Sequence, residues 1–140
     1  MRRRQRREYV RGYGGMSESV ARYPFAAPLT AYGNGGFRFA DMSHKGSILC
    51  MPSGIFAWEV SDASALSVSD FQRVFEMLDA HMTLLLGTGE QQIWPSAEVT
   101  QAFAEKQIAL EPMSTGAAAR TYNVLLAEKR AIAAALIAVA

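Results

Sequence analysis

Met113-Ser114-Thr115-Gly116-Ala117-Ala118-Ala119-Arg120-Thr121-Tyr122-Asn123 is the stretch from which the fold of this chain can be read. Ser114 stands where its hydroxyl can accept from the backbone N–H of Gly116 or Ala117, the position of a helix N-cap. An alanine-rich helix follows. At about 100° per residue, Gly116, Arg120, Asn123 and Ala127 share one arc, with Ala118, Tyr122 and Leu125 roughly opposite. One face can pack while the other presents a guanidinium and an amide. The start of the helix leaves the positive end of its dipole facing out of the loop, which favours an anion there.

On either side of this helix the pattern alternates. Ile108 to Met113 reads as a strand before it, and Ala131 to Val139 as a strand after Glu128-Lys129-Arg130. Further upstream, Pro95-Ser96 starts a helix with Val99, Ala102 and Phe103 on its apolar side. Thr83-Leu84-Leu85-Leu86 reads as a buried strand ending in Gly87-Thr88-Gly89. From Ser69 the apolar residues Phe71, Val74, Phe75 and Leu78 fall at i, i+3, i+4 and i+7, and Ser69 with Gln72 fits a capping box. Helix, strand, helix, strand, helix, strand is the order of right-handed crossovers onto a largely parallel sheet.

The first half has a different period. Leu29 to Tyr32 leads into Gly33-Asn34-Gly35-Gly36, residues that tolerate positive φ, and Phe37-Arg38-Phe39 then alternates as a half-buried strand does. His44-Lys45-Gly46 reads as a second turn, before the continuous apolar run Ser47 to Met51. Pro52-Ser53-Gly54 turns again into the alternation of Phe56, Trp58 and Val60. The fold expected is α/β: a mixed sheet with an antiparallel β front and three helices.

A chain of 140 residues, half of them hydrophobic and 19% charged, suits one globular domain. The net charge of +1 hides a split: residues 1 to 11 carry six arginines against Glu8, whereas residues 12 to 140 carry eight basic and twelve acidic groups. The arm is +5 and the body −4, so no nucleic-acid partner is expected for the folded body. Residues 1–24 read as a flexible Arg-rich leader and 25–140 as the domain. That leader fits an over-long start with Met16 as initiator, a mitochondrial presequence, or an electrostatic tether. No apolar run reaches the roughly 18 residues of a transmembrane segment, and the single cysteine, Cys50, can form no internal disulfide. A reducing, soluble compartment such as the cytoplasm is expected.

Chemistry is thinly signalled. If the strands from Thr83 and Ile108 are parallel neighbours, Gly87, Thr88 and Gly89 emerge beside Ser114, Thr115 and Gly116, with Arg120 one turn on. Such loops could hold a small anion or nucleotide, although a dinucleotide fingerprint would need a small residue where Gln92 stands. Arg120 reads equally as a solvated residue or one paired to Glu111. Asn123 is a poor helix former mid-helix, and its expected role is to hydrogen-bond a neighbouring loop backbone and lock it. His44, His81 and Cys50 lack metal-ligand spacing, so no metal and no cofactor are expected. Asp41, Asp62, Asp70 and Asp79 are scattered, and no catalytic residue is assigned. Trp58 and Trp94 read as core or edge anchors.

Several of these residues together resemble one family. Tyr32-Gly33-x-Gly35-Gly36-Phe37-Arg38-Phe39, Pro52-x-Gly54, Trp58, Gly87-Thr88-Gly89 and Thr115-Gly116-Ala117-Ala118-x-Arg120-Thr121-Tyr122-Asn123 are similar to the Mth-type domain family, over about residues 25 to 140. The resemblance implies a three-layer α/β fold with a mixed central sheet. It also implies a non-catalytic protein-interaction role in assembly of respiratory NADH dehydrogenase (complex I), with that complex's subunits or assembly factors as partners. Ligand or partner candidates are Gly87, Thr88, Gly89, Ser114, Thr115, Gly116, Arg120 and Asn123. The alternative is a small-anion protein or an enzyme built on the same two loops.

Overall fold

The structure is a computed structural model that describes residues 21–140; the expected leader up to residue 20 lies outside the described residues. Among the described residues the chain forms two sheets. Strands β1 (Leu29–Gly33), β2 (Gly36–Phe39) and β3 (Met42–Lys45) make a three-stranded antiparallel sheet. Strands β4 (Ser47–Met51), β5 (Gly54–Trp58), β6 (Thr83–Gly87), β7 (Ala109–Met113) and β8 (Ile132–Leu136) make a five-stranded sheet in the order β5-β4-β8-β6-β7. In it β8, β6 and β7 run parallel, and β4 is antiparallel to both β5 and β8. The helices are α1 (Gln72–Met77), α2 (Ala97–Glu105) and α3 (Thr115–Ala127).

Two crossovers decide the layers. The connection from β6 through α2 to β7 moves outward by one strand, and that from β7 through α3 to β8 moves back past β6. Right-handed crossovers in opposite directions put their helices on opposite faces. The side chains alternate to match: Leu84, Leu86, Ala133, Ala135 and Ile137 join Phe71, Val74, Val99 and Phe103 in one core. Leu85, Ala134 and Leu136 join Ala118, Ala119 and Tyr122 of α3, with Leu29, Phe37 and Phe39 of the small sheet, in the other. A three-layer α/β domain results, in which β4, β5, β6 and β8 are buried on both faces and therefore apolar almost throughout, while the edge strand β7 exposes Ala109 and Glu111.

The first core is aromatic. Phe103 meets Phe71 edge-on at 5.0 Å and Phe75 at 4.7 Å between ring centroids. Trp58 lies 5.6 Å from Phe71, and its indole N–H donates to the Asp70 carbonyl at 2.8 Å, so this tryptophan is a core anchor with its polar atom satisfied. The second core contains small residues where α3 meets the sheet. Ala134 is fully buried there, as is Ala118, with Ala119 nearly so.

Two local expectations change. His44 and Lys45 belong to β3 and pair with Phe37 and Gly36; the turn falls earlier, at Ala40 and Asp41, both at positive φ (48° and 62°). Gly46 (φ 94°) alone breaks β3 from β4. The helical turn before α1 starts at Val68 rather than Ser69: the Ser67 backbone N–H donates to the Asp70 carboxylate at 2.8 Å, so Ser67 and Asp70 supply the cap expected of Ser69 and Gln72. Tyr23 pairs with Ile55 by two backbone hydrogen bonds (2.9 and 3.3 Å), which carries the packed chain upstream of Phe25.

Candidate functional site

Parallel pairing of β6 with β7 sets Gly87 against Met113, so the two loops leave the same end of the sheet side by side. One runs to α2 and the other to α3 on the opposite face, the arrangement at which α/β sheets open a crevice. Here the loops are tied to each other. The Thr88 N–H donates to the Met113 carbonyl (2.9 Å), the Thr115 N–H to the Gly89 carbonyl (2.8 Å), and the Gly89 N–H to Thr115 Oγ1 (2.9 Å). Thr115 Oγ1 in turn donates to the Ile137 carbonyl at 2.7 Å. One fully buried hydroxyl thus joins the loop after β6, the start of α3 and the end of β8. Thr88 does the same for the longer loop, donating to the Gln91 carbonyl (2.6 Å) and accepting from the Ile93 N–H (3.0 Å).

Glycine is required for this closure at one point. A Cβ on Gly87 would lie 3.0 Å from the Thr115 Cα and 2.9 Å from Leu136 Cδ2, so a side chain there would push α3 off the sheet. Ser114 caps α3 as expected, accepting from the Ala117 N–H at 3.3 Å. Beyond the cap, Tyr32 of β1 covers the first turn: its hydroxyl sits where a Cβ on Gly116 would be. Arg120 reaches the same hydroxyl through a long 3.5 Å contact and is exposed; among the described residues it makes no ion pair with Glu111.

Asn123 is the firmest of the polar groups on this helix. Its Oδ1 accepts from the Leu29 N–H and its Nδ2 donates to the Leu29 carbonyl, both at 2.8 Å. The amide replaces a neighbouring strand for that residue of β1, and so fastens the small sheet to α3. The structure therefore brings Gly87, Thr88, Gly89, Ser114, Thr115 and Gly116 together and sets Arg120 next to Tyr32. Asn123 faces β1 instead.

Two side chains that could act as nucleophiles, Cys50 and Tyr122, are withdrawn. Cys50 is wholly buried in the second core, and burial pushes its thiol far above the ordinary range. Burial also raises the Tyr122 phenol, with the Cys50 charge as a lesser cause. His44 is held below the ordinary imidazole value, first by burial and then by the Arg22 charge, against the opposing Ser47 carbonyl contact and Glu59. Among the described residues no three His, Cys, Asp or Glu side chains are grouped to hold a metal ion, and no helix is long and apolar enough to cross a membrane. A groove of about 460 Å³ lies by the outer end of β5, lined by Arg22, His44, Lys45, Glu59 and Ser61 among others.

At this end of the sheet, sequence reasoning named Thr115 as a candidate without its role, and missed what Tyr32 and Trp94 do. Thr115 read as part of a helix start, and nothing local marks a hydroxyl that bonds 22 residues away. Tyr32 meets α3 across 88 residues. Trp94, expected as a core or edge anchor, is 73% exposed. Its signal was present, because Glu90-Gln91-Gln92-Ile93-Trp94-Pro95 has no apolar period that could bury it.

These features define a three-layer α/β domain whose carboxyl-end loops are cross-linked by threonine hydroxyls and whose outer groups there are surface side chains. The chain belongs to the family described as "Protein of unknown function (DUF498/DUF598)", which matches residues 29–137. It is 34% identical over 110 residues to NADH dehydrogenase [ubiquinone] 1 alpha subcomplex assembly factor 3 of Danio rerio, covering 78% of this chain but 63% of that protein. It is also 34% identical over 113 residues to an uncharacterised protein of Rhodobacter capsulatus, covering 80% and 85% of the two chains. The crystal structure of an outer membrane protein from Bartonella henselae superposes with a TM-score of 0.80 at 51% identity, over 84% of this chain and 99% of that one. A Mth938-like domain of Bordetella pertussis, 24% identical, shares the fold with a TM-score of 0.68 over 94% and 92% of the two chains. The Mth-type resemblance therefore holds, and the chain spans less than two-thirds of the zebrafish assembly factor's length.

Proposed function

We propose that this domain is a non-catalytic protein-interaction module that assists assembly of respiratory NADH dehydrogenase. The observation that carries the reading is the 34% identity to a named assembly factor of that complex across nearly the whole described domain. The geometry supports the non-catalytic part: the Thr88 and Thr115 hydroxyls are engaged by backbone carbonyls, and the Cys50 thiol is buried and held protonated. The partners are subunits or other assembly proteins of the complex, met at the cytoplasmic or matrix face of the inner membrane. Arg120 and Tyr32 offer one contact, since both are exposed and neither is needed for the core.

The test is a mild-detergent pull-down of the tagged full chain from its native cells, read by mass spectrometry, with Arg120→Ala beside it. Recovery of NADH dehydrogenase subunits or their assembly proteins is the expected result, reduced in the variant at unchanged melting temperature. Absence of all such proteins from the wild-type sample overturns the reading.

A further inference from the structure

The loop between β6 and α2 holds an exposed tryptophan in a fixed place. Trp94 is 73% exposed and its neighbour Ile93 is 37% exposed. Large apolar side chains stand in water at a cost, and a loop free to move would fold this one down. The loop's polar groups prevent that. The Ile93 N–H is held by Thr88 Oγ1 (3.0 Å), the Gln91 carbonyl accepts from the same hydroxyl (2.6 Å), and Gln92 Nε2 donates to the Pro112 carbonyl (2.8 Å). On the other side, Pro95 fixes its own φ and Ser96 caps α2 through the Val99 N–H (3.3 Å). Trp94 is bracketed on both sides, so presenting the indole to a partner costs little further ordering.

In the sequence that flanks it, between His81 and Arg120, the charges are acidic save for Lys106. Residues 82–105 contain Glu90, Glu98 and Glu105 and no Lys, Arg or His, and residues 107–119 contain Glu111 and again no basic group. Glu90, Glu98 and Glu111 are all exposed. Glu90 and Glu98 stand four residues either side of Trp94, and Glu111 precedes the proline that Gln92 grips. The strand edge at this side is closed to β-pairing: Pro112 of β7 has no N–H to give, and its carbonyl is occupied by Gln92. Recognition here must run through side chains.

We infer that Ile93-Trp94-Pro95 is a rigid docking knob for a partner protein whose apolar pocket receives the indole and whose rim carries lysine and arginine. A central aromatic anchor within a ring of complementary charge is the arrangement that concentrates binding energy and sets specificity. The inference gives a surface to the interaction proposed above and rests on that reading for the partner's identity alone.

The experiment is photo-crosslinking in the native cell from Gln91→p-benzoylphenylalanine in the full chain, which leaves Trp94 in place, with adducts mapped to the partner's residues. The expected result is one predominant adduct on a peptide that carries lysine or arginine. Trp94→Ala should lower its yield roughly 30-fold, and the pair Glu90→Lys with Glu98→Lys by at least about tenfold, at unchanged melting temperature. Trp94→Phe should restore most of the yield. No discrete adduct, an adduct indifferent to Trp94→Ala or to charge reversal, or an adduct to a second copy of this chain overturns the inference. A Trp94- and charge-dependent adduct on a protein unconnected with NADH dehydrogenase keeps this surface and sinks the assembly reading. An NADH dehydrogenase adduct that ignores the variants does the reverse.

Discussion

Asn123 shows how one side chain can take the place of a strand. Both of its hydrogen bonds go to the backbone of Leu29, a buried residue at the start of β1, so truncation leaves a donor and an acceptor unmet at the boundary of the second core. Asn123→Ala is expected to cost about 1–3 kcal/mol, read as a lower urea midpoint at unchanged slope. An unaltered midpoint would mean that water replaces the amide freely. Two glycines of the same region separate backbone crowding from side-chain crowding. Gly87→Ala sets a methyl against the Thr115 backbone and should destabilise by about 1–3 kcal/mol. Gly116→Ala meets only the far ends of the Tyr32 and Arg120 side chains, both exposed and able to turn aside, and alanine is the better helix former by up to about 1 kcal/mol. Gly116→Ala should therefore lie within about 0.5 kcal/mol of the wild type, while an equal effect of the two substitutions would refute the distinction.

At the scale of elements, the closest contact is between α3 and the sheet. Ala118 and Ala119 face a strand whose own inner residues include Ala134, and all three are buried in the same core. Ala134→Leu would insert three carbons where no void awaits them, and a loss of about 1–3 kcal/mol in denaturant melts is expected. A neutral result would show that the layer can open without cost. Most of this architecture was legible in the sequence, because the second half changes period cleanly between helix and strand and each helix carries its cap. β3 was not. It turns through Ala40 and Asp41, non-glycine residues forced to positive φ by the hairpin, and its in-and-out alternation at Met42, Ser43, His44 and Lys45 has no large apolar residue on its inner side beyond the methionine. The cap before α1 was misread because Ser67-x-x-Asp70 and Ser69-x-x-Gln72 overlap, and the charged carboxylate is the stronger acceptor for the Ser67 N–H. At the candidate site, the convergence of the two loops followed from parallel pairing alone. What the Thr115 hydroxyl and Tyr32 do there depends on contacts 22 and 88 residues apart, which no local pattern encodes.

For the molecule as a whole, pH should act on stability through His44 before it acts through the carboxylates. His44 sits buried on β3, its Nε2 3.2 Å from the Ser47 carbonyl, with Arg22 and Glu59 as the charges that face it. Burial holds its pKa below the ordinary 6.5, so at mildly acid pH the unfolded chain binds a proton that the folded chain refuses. The unfolded state then gains from each step down in pH. This contribution to stability is fully present above about 6.5 and is lost as the pH falls through the lowered folded value. Asp62, held low by the Ser64 N–H and hydroxyl, acts in a separate window, near and below its ordinary 3.8. Melting temperatures of the wild type should therefore be level from pH 8 to 7 and decline from 6.5 to 5, while His44→Gln, which keeps an amide within reach of the Ser47 carbonyl, should stay level over the same range. A wild-type curve as flat as the variant's would mean that the folded domain takes up the proton at this site as readily as the unfolded chain does. The histidine would then have to lie open to water in solution, with β3 lifted from the end of β4.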